Sequence, residues 1–317
     1  MSLSNPERLL NFYSVQSRFT DPGEYASLYD DLPDDIEELC KVIRGLIIHI
    51  DGDFPLPKER LNEVDLGRYV SDMLSCIMEI DDRPLTSRRL PEKRFIGCCR
   101  DFSILFCSMM RHRGIPTRTR CGFAPYINCG MPGFNVDHTI AEFWDFSEER
   151  WRLVDAEQDE RLKEINRIDF DTTDIPHDRF LFSGYAWQQY RENKVDPDEF
   201  GDPPDEARTN LDDTGESGFK FVGAGVLRYR VILDLAMMNK VEPLLWDCTS
   251  LMELHIEPTE EDLRLLDRVA KLTLAGNDKF YAMRKIYETE PKLKIPRVVN
   301  SYSPVDKPRS IVLQLSN

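Results

Sequence analysis

Residues 97–116 read GCCRDFSILFCSMMRHRGIP, and this stretch decides the fold of the middle of the chain. Apolar side chains recur in it at helical spacing, namely Phe102, Leu105, Phe106, Met109 and Met110. The Gly-Ile-Pro run that follows supplies a stop, because glycine favours the position after a helix and proline cannot continue one. The pattern predicts a helix over residues 99–113 with one buried face.

Three strands are predicted after this helix. The run TRTRCGF at residues 117–123 alternates in strand fashion, and a loop rich in Gly, Pro and Asn follows at 125–136. HTIAEFW at 138–144 and WRLVDAE at 151–157 are the next two strand-like runs. The predicted order is a helix followed by three antiparallel strands.

Composition divides the chain into four stretches. We expect a helical N-terminal extension over residues 1–94, a core over 95–195, an acidic mobile loop at 196–218 and a helical C-terminal part over 219–317, which together form one composite domain. The loop is expected because nine acidic residues accompany a single basic one between 196 and 217, where Pro and Gly are also frequent.

Helices are predicted in both extensions. Near the N-terminus, apolar residues follow the acidic turn DLPDD at helical spacing: Ile36, Leu39, Cys40, Ile43, Leu46 and Ile47. Toward the C-terminus, residues 226–240 and 259–274 read as helices. The second begins with Thr259 in position to cap it and three acids in its first turn, which suits the positive end of a helix.

Charge and hydropathy exclude several classes of protein. The 317 residues include 41 basic and 57 acidic side chains, a formal net charge of -16, so the surface repels phosphate backbones and we expect no nucleic-acid partner. The longest apolar run, residues 42–50, is interrupted by Arg44 and His49 and is far shorter than the roughly 20 residues of a membrane-spanning helix. We expect no membrane partner.

The N-terminal residues and the cysteines indicate a cytoplasmic protein. MSLSNPERLL contains no secretory apolar segment. The eight cysteines of this long chain do not resemble a disulfide framework, so most are expected to be small, reduced core residues.

Cys99 is the strongest candidate for a nucleophile. A cysteine in the first turn of a helix faces the positive end of the helix dipole and unpaired backbone N–H groups, which favour the thiolate. The same N–H groups can bind an oxyanion after the sulfur attacks a carbonyl. A buried, inert cysteine remains the alternative reading. The base would be His138, which begins a strand, and the group that orients it would be Asp155, which ends the next strand.

Neighbouring residues have structural interpretations. Asp101 is expected to stabilise the helix start and to form an ion pair with Arg118 or Arg120. Asp137 is expected to be an exposed loop acid, although it could also modulate His138. No C-x-x-C pair is present, so we expect no metal and no cofactor.

Three runs of this sequence together resemble a known family. GCCRDFSILFCSMMRHRGIPTRTRCGF, DHTIAEFW and RWRLVDAE, within residues 95–159, are similar to the transglutaminase-like superfamily. The resemblance implies an α+β fold with a papain-like core, in which the catalytic helix packs on an antiparallel sheet. It also implies Cys99 as nucleophile, His138 as general base and acid, and Asp155 as the residue that orients it. Cys99 is preferred to Cys98 because it lies two residues after the glycine.

Two further strings, FLFSGYAWQQYR and LAMMNKVEPLLWD, resemble the C-terminal part of bacterial transglutaminase-like proteins. The resemblance attaches no mechanism to them.

The predicted function is cysteine-dependent acyl transfer from an amide or thioester carbonyl. Hydrolysis, as by a peptidase or amidase, is favoured because water is always present, whereas aminolysis needs a shielded second site. Amide formation by a transglutaminase-type acyltransferase is the alternative. A catalytically idle module that binds a peptide or small ligand is the alternative from another class. The expected partner is a peptide, a protein or a small amide, and the oligomeric state stays open.

Overall fold

A computed structural model of the chain describes residues 5–52, 54–203 and 221–315, and these residues form both helices and strands. The helices are α1 Asn5–Ser14, α2 Ile36–Leu46, α3 Glu63–Leu66, α4 Val70–Ile80, α5 Cys99–His112, α6 Glu160–Asn166, α7 Ser183–Arg191, α8 Ala224–Met238, α9 Glu260–Leu274 and α10 Phe280–Thr289. The strands are β1 Ile47–His49, β2 Phe95–Gly97, β3 Thr117–Ala124, β4 Asn135–Asp145, β5 Arg150–Val154, β6 Leu181–Phe182, β7 Phe200–Gly201, β8 Asp247–Cys248, β9 Val298–Ser301 and β10 Arg309–Val312. This is an α+β fold, as predicted.

The central sheet has the strand order β5-β4-β3-β6, with all neighbours antiparallel. The three predicted strands are confirmed as β3, β4 and β5. In this register His138 pairs with Gly122, and Ala141 pairs with Val154. β5 is therefore the neighbour of β4, which carries His138, and Asp155 follows directly after the end of β5.

The start of β4 differs from the prediction. The strand begins at Asn135, inside the predicted loop, because Asn135 and Val136 pair in parallel with Phe200 and Gly201 of β7. That partner lies more than 60 residues away in the sequence, so no local pattern indicates the pairing. Asp196 caps the short turn that leads into β7, which lies within the predicted acidic loop. The rest of that loop, residues 204–218, lies outside the described residues.

Helix α5 packs against one side of the sheet. Phe106 of α5 contacts Phe143 of β4, with ring centroids 6.2 Å apart. The hydroxyl of Ser103 donates to the carbonyl of Thr139 over 2.9 Å, which fastens the first turns of the helix to β4 beside His138. The helix ends at His112, one residue before the prediction, and Gly114 follows with φ +71°, a conformation that favours glycine. The predicted helix is confirmed.

Helix α8 packs against β3 through buried charges. Asp234 accepts two hydrogen bonds of 3.0 Å from Arg120 and a third of 3.0 Å from the backbone N–H of Cys121. The prediction of a helix over 226–240 is confirmed by α8, which begins and ends two residues earlier. The second predicted C-terminal helix is confirmed by α9, whose Thr259 side chain accepts from the N–H of Asp262.

The predicted helix behind the acidic turn is also confirmed, as α2. Its side chains at Leu39, Cys40 and Ile43 are fully buried, and α2 leads directly into β1. Of the helices in the described part of the chain, none combines the length and the apolar character that crossing a bilayer requires.

Candidate active site

Cys99 begins helix α5 and lines a cleft. The Asp101 carboxylate accepts a hydrogen bond of 2.9 Å from the backbone N–H of Cys98, which caps the helix just ahead of Cys99. The turn requires glycine at position 97, because a Cβ there would lie 2.9 Å from the Asp101 carboxylate and 3.1 Å from the Ile47 side chain. The local sequence thus holds Cys99 at a helix N-terminus, where unpaired N–H groups point outward.

His138 and Asp155 form a buried pair, as the sequence predicted. Nε2 of His138 lies 2.8 Å from Oδ2 of Asp155, and both residues are at most 3% exposed. The hydroxyl of Tyr126 donates to the same carboxylate oxygen over 2.9 Å, and the N–H of Glu157 donates to the other over 3.1 Å. Because Nε2 is held by Asp155, Nδ1 of His138 is left for the thiol.

The surroundings of Cys99 favour its thiolate. A hydrogen bond with the Cys98 thiol lowers the pKa of Cys99 well below its ordinary value, and hydrogen bonds with His138 and His49 lower it further, although burial opposes them. Burial lowers the pKa of His138, but the charge of Asp155 and the interaction with Cys99 raise it well above its ordinary value. Together these shifts favour a thiolate beside an imidazolium.

His49 and Glu157 are two residues of the site that the sequence reasoning missed. β1 pairs in parallel with β2 and places His49 opposite Gly97, two residues before Cys99. Burial raises the pKa of the Glu157 carboxyl to about 7, and its Oε2 is buried without a hydrogen-bond partner among the described residues. Position 157 could have been noticed, since it lies two residues after Asp155. No sequence signal marks His49.

The ion pairs around the site correct two predictions. Asp101 pairs with its neighbour Arg100 over 2.8 Å and not with Arg118 or Arg120, because those arginines lie on β3, where both pair with Glu142.

Asp137 is not an exposed loop acid. It is 8% exposed and pairs with Arg230 of α8, because β4 begins earlier than predicted and carries Asp137 under that helix. Burial raises the pKa of Asp137 to about 7, although Arg230 lowers it.

A metal could in principle use part of this site. Ligand atoms of His138, Asp155 and Glu157 all lie within 4.8 Å of one another. However, His138 and Asp155 already bond to each other, and Asp155 also accepts from Tyr126. The donor set therefore fits a hydrogen-bonded acid–base pair, and the absence of a metal stays a prediction.

The cleft above Cys99 has a volume of about 2170 Å³. His49, Cys98, His138 and Glu157 line it around Cys99. Residues from the C-terminal part of the chain, including Trp246 and residues 302–308, also line it. The arrangement can place a substrate carbonyl between the sulfur and two imidazoles.

Two comparisons with known proteins found a similarity. Residues 68–156 match the transglutaminase-like superfamily. The crystal structure of a proposed cysteine protease from Cytophaga hutchinsonii is similar to this chain at 17% sequence identity and a TM-score of 0.31, over 54% of this chain and 44% of that chain. This chain thus spans less than half the length of that protein. No curated protein matches this chain significantly.

The family match includes Cys99, His138 and Asp155, and it begins earlier than the resemblance in the sequence, at residue 68 instead of 95. The additional residues include α4. Residues 68–156 of this chain are therefore similar to the transglutaminase-like superfamily, and they lie within an α+β fold.

Proposed function

We propose that this protein is a cysteine hydrolase that cleaves amide bonds in peptides or proteins through Cys99, His138 and Asp155. One observation carries the proposal: a cysteine at a helix N-terminus shares a cleft with a histidine that is 2.8 Å from a buried aspartate. A nucleophile, a base and an orienting acceptor are the minimum set for thiol-dependent acyl transfer.

Acylation of the enzyme starts from the resting ion pair of the Cys99 thiolate and the His138 imidazolium. The Cys99 thiolate attacks the substrate carbonyl, a C–S bond forms, and the carbonyl oxygen becomes an oxyanion near the backbone N–H groups at the start of α5. When the C–N bond breaks, the protonated His138 donates its proton from Nδ1 to the leaving amine. Asp155 holds the ring in position during this transfer.

Deacylation reverses these roles with water. His138, now neutral, accepts a proton from a water molecule, whose oxygen attacks the thioester carbonyl. The C–S bond breaks, the carboxylic acid leaves, and the Cys99 thiolate is regenerated beside the imidazolium. If a primary amine replaces water, the same step makes a new amide bond.

The size of the cleft supports a peptide or protein over a small amide. Pockets for small ligands usually have volumes of roughly 300–1,000 Å³. The cleft of about 2170 Å³ is larger, and chain segments far in sequence from helix α5 also line it. An extended segment of several residues fits such a cleft.

The proposal is tested by incubating the protein with a defined library of synthetic peptides and reading the products by mass spectrometry. Cleavage with a mass gain of one water across the two products is expected, and Cys99→Ala and His138→Ala should each lose at least about a thousandfold in rate. Cys76→Ala is the matched control, because Cys76 lies on α4 away from the cleft and should retain full activity.

The same experiment with an added primary amine, cadaverine, separates the alternatives. Products that contain cadaverine in excess of hydrolysed product would favour amide formation. Peptides that bind equally to the wild type and to Cys99→Ala without turnover would favour the idle binding module and reject the enzyme.

A further inference from the structure

A second imidazole, that of His49, lies beside Cys99 and is not used by the mechanism above. His49 ends β1, and β1 pairs in parallel with β2, which leads directly into the catalytic helix. We propose that His49 is the second oxyanion donor of the site, with its Nε2–H binding the carbonyl oxygen of the substrate as it becomes negatively charged. This inference rests on the proposed function.

The backbone fixes His49 relative to Cys99. His49 lies opposite Gly97 in the strand pair, and the N–H of Ile50 donates to the carbonyl of Gly97 over 2.8 Å. The backbone hydrogen bonds between β1 and β2 thus continue past His49 and reach Gly97, two residues before Cys99. A donor on a paired strand is held in one orientation, which is what stabilisation of a transition-state charge requires.

The hydrogen bond with Asp51 occupies Nδ1 of the His49 ring, so Nε2 is the ring nitrogen left to face the site, where His49 forms a hydrogen bond with Cys99. The backbone N–H of Asp51 donates to Nδ1 of His49 over 3.0 Å. In a neutral imidazole, a nitrogen that accepts leaves the proton on the other nitrogen, so Nε2 carries it. His49 lines the cleft together with Cys99, so an N–H there can reach a bound substrate.

The charges around the ring keep this proton in place. Burial lowers the pKa of His49, but Glu157, Cys99 and Asp51 together raise it to about 10. That shift favours the imidazolium, in which both nitrogens are protonated, whereas the Asp51 hydrogen bond requires the neutral ring. Nε2 is a donor in both forms, so the proposed role does not depend on which of them prevails.

An oxyanion generally needs two donors. The backbone N–H groups of the first helical turn have no partner within the helix, and that of Cys99 is the nearest to its own sulfur. Among the described residues, two histidines line the cleft around Cys99, and one of them, His138, is occupied with proton transfer. His49 is therefore the remaining imidazole beside the sulfur.

The test compares two variants of similar size. His49→Gln keeps an N–H donor, whereas His49→Leu has none. With p-nitrophenyl acetate as the substrate, we expect His49→Leu to lower kcat about 100-fold with KM changed by less than about threefold, and His49→Gln to recover at least about tenfold of that loss. His177→Ala, an exposed histidine away from the cleft, is the control and should match the wild type.

Two results would overturn the inference. One is a kcat for His49→Leu within about twofold of the wild type. The other is an equal loss in the Leu and Gln variants, which would mean that the N–H group is not what matters. Thermal melts check that each variant folds, and His49→Ala replaces the Leu variant if the latter does not.

Failure of the proposed function would look different. In that case Cys99→Ala would hydrolyse the ester as fast as the wild type. If Cys99→Ala and His138→Ala lose activity while His49→Leu keeps it, only the role of His49 is rejected.

Discussion

Two regions of the molecule meet at Cys99, and they are built in opposite ways. The proposed catalytic motif, residues 97–157, places Cys99, His138 and Asp155 through one helix and two neighbouring strands that follow each other in the chain. The long-range shell, defined by His49 of β1 and Arg230 of α8, reaches the same place from parts of the sequence far from that motif. The positions of the residues in the first region follow from local sequence pattern, and those in the second follow from tertiary packing.

The difference explains why the positions of Cys99, His138 and Asp155 in the fold could be predicted. The spacing of apolar residues predicts α5, and alternation predicts β3, β4 and β5, so Cys99, His138 and Asp155 fall at the ends of elements that the sequence itself delimits. Because β4 and β5 are consecutive antiparallel strands, their neighbouring positions follow from the order of the elements. The structure brings His138 and Asp155 to 2.8 Å.

The long-range shell could not be predicted. β1 and β2 are strands of three residues whose parallel pairing joins positions 48 residues apart, and so short a run carries no periodicity. Arg230 and Asp137 lie 93 residues apart, and neither is distinguished in the sequence from a surface charge. The early start of β4, which depends on β7, is the reason that Asp137 is buried.

Removing Arg230 is expected to affect stability most. Arg230→Met leaves the buried carboxylate of Asp137 without its partner, so we expect the free energy of unfolding at pH 8 to fall by about 3 kcal/mol. The pKa of Asp137 is already raised to about 7 with Arg230 present. Without Arg230 the carboxyl should take up a proton in the folded protein as the pH falls, and the loss should be smaller at pH 5.

Urea unfolding at both pH values measures this effect. The double variant Arg230→Met with Asp137→Asn removes both charges and should recover part of the loss. A single variant as stable as the wild type at pH 8 would show that the ion pair does not hold α8 on the motif.

Within the motif, Asp155→Asn should reduce kcat by about 100-fold, less than the loss of Cys99 or His138. The amide still contacts the ring but no longer stabilises the imidazolium. Steady-state hydrolysis of p-nitrophenyl acetate measures it. Unchanged kinetics would remove Asp155 from the mechanism and leave Glu157 as the carboxylate that supports the site.

Tyr126→Phe should have the smallest effect, a loss of up to about tenfold in kcat. The variant removes one hydrogen bond of 2.9 Å to Asp155, a change of about 1 kcal/mol, while the N–H of Glu157 still holds the carboxylate. The same ester assay applies. A loss as large as that of Asp155→Asn would show that Tyr126 contributes to the chemistry and not only to the position of Asp155.

The central claim is that Cys99 is a thiolate activated by His138. The most direct measurement is the rate at which iodoacetamide alkylates each cysteine from pH 5 to 9, read by peptide mass spectrometry in the wild type and in His138→Ala. Burial raises the pKa of the thiols of Cys40, Cys76 and Cys248 to about 12, so these serve as internal controls.

We predict that Cys99 reacts rapidly well below the ordinary thiol pKa of about 8.5, that the three control thiols do not, and that Cys99 loses this advantage in His138→Ala. A Cys99 that reacts as slowly as the controls in the wild type, or equally fast with and without His138, would contradict the account.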